Sequence, residues 1–132
     1  MKLLVSEPGS DLADELWNAS ATRIAAQLAY PEARAALAAA CRARRIDAGA
    51  LRRAVGDLEH AWQSLRIIAI DEPIALAAGD LAERHALRAY DAVHLSCVLA
   101  VADPDLLVVT WDRNLGRAAV EIGRAVAPKA GR

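Results

Sequence analysis

Helical spacing of apolar residues alternates along this chain with short β-branched runs. Pro8-Gly9 breaks the chain early. Leu12, Leu16 and Trp17 then share one side of a helix that Ser10 or Asp11 caps and that runs to about Asn18. Thr22 to Ala26 is a small apolar run that fits a short strand. Leu28 to Arg44 predicts a long alanine-rich helix, with Pro31 in its first turn and Arg42, Arg44 and Arg45 at its end. Asp47 caps the next helix, which runs to about Ser64 with Leu51, Val55, Leu58 and Trp62 on one face. So short a turn between the two makes a helical hairpin. Arg66 to Ile70 reads as a strand by its β-branched content. Asp71 caps a helix to about His85, with Pro73 in its first turn. Asp91 to Ala102 is a helix apolar on most faces and therefore buried. Leu106 to Thr110 is a continuous apolar strand, the pattern of coverage on both faces. A helix near Leu115 to Ile122 and an edge strand at Arg124 to Ala127, closed by Pro128, complete the order. Strands alternating with helices predict an α/β domain built on a parallel sheet.

Composition narrows the class. A chain of 132 residues fits one domain, and no linker, low-complexity stretch or repeat divides it. With 55% hydrophobic and 25% charged residues, disorder is excluded. Roughly a quarter of the residues are alanine, which favours helices. Cys41 and Cys97 have no C-x-x-C spacing, so a reduced, cytoplasmic setting is expected rather than a disulfide framework. No run of eighteen apolar residues occurs, so no membrane span is expected, and the apolar part of Met1 to Pro8 is too short for a signal peptide.

The net charge of −1 excludes a wholesale polycation but conceals a segregation. Residues 1–22 carry −3 and residues 23–66 carry +4. Residues 67–112 hold eight acids against two arginines, and residues 113–132 return to +4. One reading is the ordinary fluctuation of surface charge. The other is an acidic centre flanked by basic surfaces, which suits a divalent cation beside a polyanion.

Three acids stand in unusual company: Glu32 at the start of the alanine-rich helix, Asp91 at the start of the buried helix, and Asp112 just after the apolar strand. In open α/β sheets ligands bind beyond the carboxyl ends of strands, where Asp112 falls. Taken one at a time, such acids are more commonly helix caps than metal ligands. Against that, an unpaired carboxylate in apolar sequence such as that around Asp91 is costly, and a hard cation makes a carboxylate cluster tolerable.

Tyr30-Pro31-Glu32-Ala33-Arg34-Ala35-Ala36-Leu37, Tyr90-Asp91-Ala92-Val93-His94-Leu95 and Val109-Thr110-Trp111-Asp112-Arg113-Asn114-Leu115 closely resemble the PIN-domain ribonucleases, specifically the VapC-like toxins of toxin–antitoxin pairs. The resemblance runs over nearly the whole chain, and Asp-Ala-Val-His-Leu is its most specific element. It implies a single PIN-like domain over residues 1–132: a three-layer α/β fold with a central, mostly parallel sheet flanked by helices. It implies a Mg²⁺- or Mn²⁺-dependent endoribonuclease in which Glu32, Asp91 and Asp112 are catalytic metal ligands. It further implies an RNA substrate, a homodimer and a VapB-like antitoxin, with the hairpin of residues 28–64 as the antitoxin or dimer surface. By the family pattern a first strand ending in a fourth acid precedes the first helix. Met1 to Ser10 resembles instead the end of that helix and its turn, so roughly a dozen residues and the central strand are expected to be missing. The preferred reading is an upstream start with Met1 internal; the other is a truncation that binds an antitoxin or partner without cleaving. An unrelated α/β domain whose acids are only caps is a third reading.

Lesser candidates complete the set. Asn114 is a candidate for orienting a metal-bound water or the substrate, and Thr110 for hydrogen-bonding a neighbouring acid. Arg113 and Arg34 are candidates for RNA contact, as is Trp111 for base stacking, with packing as its alternative. His94, three residues after Asp91, reads as a packing or supporting residue more than a ligand. Arg42, Arg44, Arg45, Arg52 and Arg53 either contact phosphates or solvate the hairpin turn.

Overall fold

The computed structural model describes residues 9–129, which form six helices and four short strands. The opening segment, on which the expectation of a missing first strand turns, lies outside them. The chain divides after Ile68 into two compact units.

In the first unit, α1 (Ser10–Ala19) is followed by β1 (Ile24–Ala26), α2 (Ala29–Arg42), α3 (Ala48–Gln63) and β2 (Arg66–Ile68). The start of α1 differs from expectation. Gly9 is its N-cap, at φ 92°, and no side chain caps the helix. Glycine enters this left-handed conformation without a Cβ penalty, and that decides where the helix begins. The hairpin is as expected. Asp47 Oδ1 accepts the Ala50 N–H at 2.7 Å, which satisfies one of the first-turn donors of α3. Helices α2 and α3 pack on each other and bury Leu37, Ala40, Ala54 and Leu58. Strands β1 and β2 pair in parallel, with Ala25 opposite Ile67. Parallel pairing needs a long crossover, and the hairpin supplies it.

The second unit runs α4 (Glu72–His85), α5 (Ala89–Ala100), β3 (Leu107–Val109), α6 (Arg113–Glu121) and β4 (Ala125–Ala127). Asp71 caps α4 by accepting the Ile74 N–H at 3.0 Å, with Pro73 in the first turn. Helix α5 begins at Ala89, two residues before the expected start, so Asp91 lies inside its first turn. The second parallel pair joins β3 to β4, with Val108 opposite Val126. Its burial departs from the sequence reading. Val108 is buried, but Leu107 and Val109 are each 45% exposed. A three-residue strand alternates its side chains, and only the Val108 face is laid on helices. The core of this unit joins Ala78 and Leu81 of α4, Ala92 and Leu95 of α5, Val108, and Leu115, Ala118 and Ala119 of α6. Ser96, buried on α5, donates its hydroxyl to the Ile74 carbonyl at 2.9 Å and fixes α5 against α4. Among the described residues no helix is long and apolar enough to cross a membrane. Both cysteines are free thiols.

Two predictions follow from this packing. Leu95 has no exposed surface. Leu95→Ala leaves a cavity at the centre of the second unit and is expected to lower unfolding free energy by about 3 kcal/mol, read by urea denaturation. The second concerns acid stability. Glu121 is paired with His85 Nδ1 at 2.8 Å and accepts from Arg117 Nη1 at 2.9 Å. These bonds, the His85 one foremost, hold its carboxyl below the usual carboxylate range. A lowered folded-state value means the stabilisation is present above the ordinary pKa of about 4.3 and is lost as pH falls through the folded value. Thermal melts should therefore place Glu121→Gln below the native chain at neutral pH, with the gap closing below about pH 4.

Candidate acidic site

The site is built from two helix beginnings and one strand end of the second unit. Helix α5 is apolar nearly all round, and Asp91, Ala92, Leu95, Ser96 and Cys97 are buried along it. Asp91 is therefore drawn inward by its neighbours, to 6% exposure. Burying a carboxylate costs several kcal/mol unless a cation and hydrogen bonds meet it. Two features meet this one. The helix N-terminus carries a partial positive charge. Arg88, the N-cap residue of α5, folds back so that its Nε–H donates to Asp91 Oδ2 at 2.9 Å.

Asp112 arrives by another route. Thr110 continues the β3–β4 ladder by donating its N–H to the Ala127 carbonyl at 3.0 Å. Its hydroxyl then accepts the backbone N–H of Asp112 at 3.1 Å, which turns the chain out of the strand. Asp112 becomes the N-cap of α6, and its Oδ1 accepts the Leu115 N–H at 2.9 Å. That leaves Oδ2, which accepts from Arg88 Nη2 at 2.9 Å. One planar guanidinium thus spans both carboxylates, a geometry that Arg provides and Lys does not. The Arg88 group also lies over the Tyr90 ring, 4.6 Å from its centroid. Its hydrogen bond to Asp91 raises the Arg88 pKa further above its ordinary value. Further along α5, desolvation, with a smaller push from Asp71, raises the pKa of the buried Cys97 thiol and makes it a poor nucleophile.

The structure thus brings Asp91 and Asp112 together. Glu32 belongs to the first unit, half-buried in the first turn of α2. Arg34 lies beyond it on α2, where Nη1 donates to the Tyr30 hydroxyl at 2.8 Å and stands 3.7 Å from Glu59. Tyr30 also donates to Glu59 and packs its ring on Trp62. This cluster ties the start of α2 to the end of α3. Arg113 and Asn114 are exposed on the first turn of α6, and His94 is half-buried on α5. Trp111 is 37% exposed beside Asp112.

Arg88 escaped the sequence reading, although its place three residues before Asp91 is a readable helical spacing. The donor chemistry fits a hard divalent ion: both acids offer carboxylate oxygens, and a positive charge already lies between them. Among the described residues no group of three or more His, Cys, Asp and Glu side chains is placed to hold a metal ion.

A family model for the PIN domain matches residues 1–121. The chain belongs to the PIN-domain family. Within it the chain is VapC-like. It is 45% identical over 128 residues to Ribonuclease VapC45 of Mycobacterium tuberculosis strain CDC 1551 / Oshkosh, a span of 97% of this chain and 89% of that protein. The same identity and coverage relate it to Ribonuclease VapC49 of Mycobacterium tuberculosis strain ATCC 25618 / H37Rv. The α/β architecture with parallel strands agrees with the PIN fold expected from the sequence.

Asp112 carries two loads on separate oxygens, and substitution separates them. Asp112→Asn retains a good cap and is expected to stay within about 0.5 kcal/mol of the native stability. Asp112→Ala loses the cap and should cost about 1 kcal/mol or more in chemical denaturation.

Proposed function

We propose that this PIN-domain chain is the endoribonuclease toxin of a VapBC-type pair, dependent on Mg²⁺ or Mn²⁺. One observation carries the reading: a buried carboxylate, Asp91, meets a second, Asp112, at the end of a strand, in a chain 45% identical to two ribonucleases of VapC type. Glu32 is proposed as the third acid, and the two units as parts of one PIN-like domain across residues 1–132. When bound, one or two divalent ions lower the pKa of a water and stabilise charge on the phosphate under attack.

The chain's own groups have distinct tasks in this reading. Asp91 and Asp112 supply oxygen donors, the first held by its burial and the second by its cap on α6. Thr110 fixes the Asp112 backbone and so the direction of its carboxylate. Arg113 and Asn114, exposed on the first turn of α6, face solvent where a phosphate or a water can be met. Arg34 contacts RNA at the edge of the hairpin after leaving the Tyr30–Glu59 cluster. The hairpin of α2 and α3 receives the antitoxin or the second protomer of a homodimer, and the setting is cytoplasmic.

The test is cleavage of RNA by the purified chain with and without divalent metal. Cleavage is expected with Mg²⁺ or Mn²⁺ and not with chelator. Asp91→Asn is expected to reduce it on the order of a hundredfold or more, since even partners one step removed from a metal are worth 10- to 100-fold. Metal-independent cleavage, or full activity in Asp91→Asn, overturns the assignment. Binding of a VapB-like antitoxin with no cleavage under any metal supports the binding-only reading instead.

A further inference from the structure

Arg88 stands where a metal ion held by Asp91 and Asp112 would have to act. Its two donated bonds end on Asp91 Oδ2 and Asp112 Oδ2. The other Asp112 oxygen is engaged as the cap of α6, so Oδ2 is the one a ligand can take without unmaking the helix start. Asp91 is narrowly accessible, its side chain 8% exposed. A divalent ion and a guanidinium therefore draw on the same oxygens, and two cations so close repel one another.

We propose that Arg88 is the resident counter-cation of this acidic pair, displaced from it when a divalent ion binds. The inference rests on the metal-dependent reading above. Its physical basis is an exchange with a low barrier on one side and a gain in charge on the other. The Arg88 side chain is 58% exposed and is held by two ion pairs and the Tyr90 ring, itself 40% exposed. Ion pairs with so exposed a member are weak. With Arg88 in place, two carboxylates share one positive charge. A dication in its stead balances both. In the metal-free protein the same guanidinium keeps two carboxylates from repelling each other and lets Asp91 stay buried. Arg88 is thus a positioning residue whose removal alters metal affinity before any RNA is present.

The experiment is a Mn²⁺ titration of the full chain without RNA, with free Mn²⁺ read by electron paramagnetic resonance at fixed ionic strength. Arg88→Gln, freed of competition, is expected to bind Mn²⁺ about tenfold more tightly than the native chain, the scale of two modest ion pairs. Because that variant leaves Asp91 unpaired and can fail to fold, a second measurement uses the native chain. The Arg88 Nε–H resonance is followed by nitrogen-15 NMR as Mg²⁺ is added, and it should shift or lose protection in step with binding. Equal Mn²⁺ affinity in the two folded chains, weaker binding by Arg88→Gln, or an Arg88 signal unmoved at Mg²⁺ saturation overturns the exchange and leaves the metal reading standing. Binding of Mn²⁺ by neither chain overturns both.

Discussion

A carboxylate inside an apolar helix needs a positive partner, and the second unit is arranged around meeting that need for Asp91. Helix α5 is so apolar that its own packing against α4 and α6 pulls the first-turn acid out of water. Removing the charge would be the simpler route to a stable core, because a well-packed apolar residue at such a position often matches or exceeds a buried ion pair. The acid is instead retained, with a guanidinium folded back from the N-cap and a second carboxylate drawn in on the far side of it. Stability alone does not account for that choice. An arrangement that places two acids on one cation is poised to bind cations, and this is the step from packing to chemistry.

Asp112 shows how secondary structure supplies such a group at little cost. The strand β3 ends at Val109, Thr110 turns the chain, and Asp112 begins α6. A cap aspartate uses one oxygen for the helix and presents the other, here to Arg88, so the backbone of α6 sets much of its orientation. The rigidity of the site thus derives from the start of a helix and the end of a strand, elements whose positions are set by the core of Val108, Leu115 and Ala118. Precision at the carboxylates is inherited from apolar packing beneath them.

What was legible in the sequence follows the range of the interactions. Asp47 and Asp71 could be read as caps because a cap involves residues three apart, and both accept the expected N–H. The helices and the parallel order of strands were legible from periodicity. The start of α1 was not, because a left-handed glycine competes with a polar cap and composition does not rank the two. The exposure of Leu107 and Val109 was not, since an apolar run specifies a strand but not how many faces find partners. In the candidate site, the two acids of the second unit were legible through their local surroundings. The guanidinium joining them was only half so. Its spacing to Asp91 is helical, but its reach to Asp112 spans 24 positions and depends on how α5 meets α6.

The segregation of charge acquires a sharper meaning from Arg88. Residues 67–112 contain eight acids and only two arginines, Arg84 and Arg88. One of those two lies between Asp91 and Asp112 and offsets part of their charge. The local field at the pair remains negative, and a polyanion approaching it is repelled unless further positive charge arrives. The basic stretch that begins at Arg113 lies directly after Asp112 in the chain, so attraction and repulsion adjoin at the start of α6. On the proposed reading this sets an order of events. A divalent ion held by Asp91 and Asp112 would offset their charge, and a phosphate met by Arg113 could then approach them. On that reading tight RNA binding, and not merely cleavage, would require the metal, because the Asp91 and Asp112 carboxylates adjoin the basic start of α6.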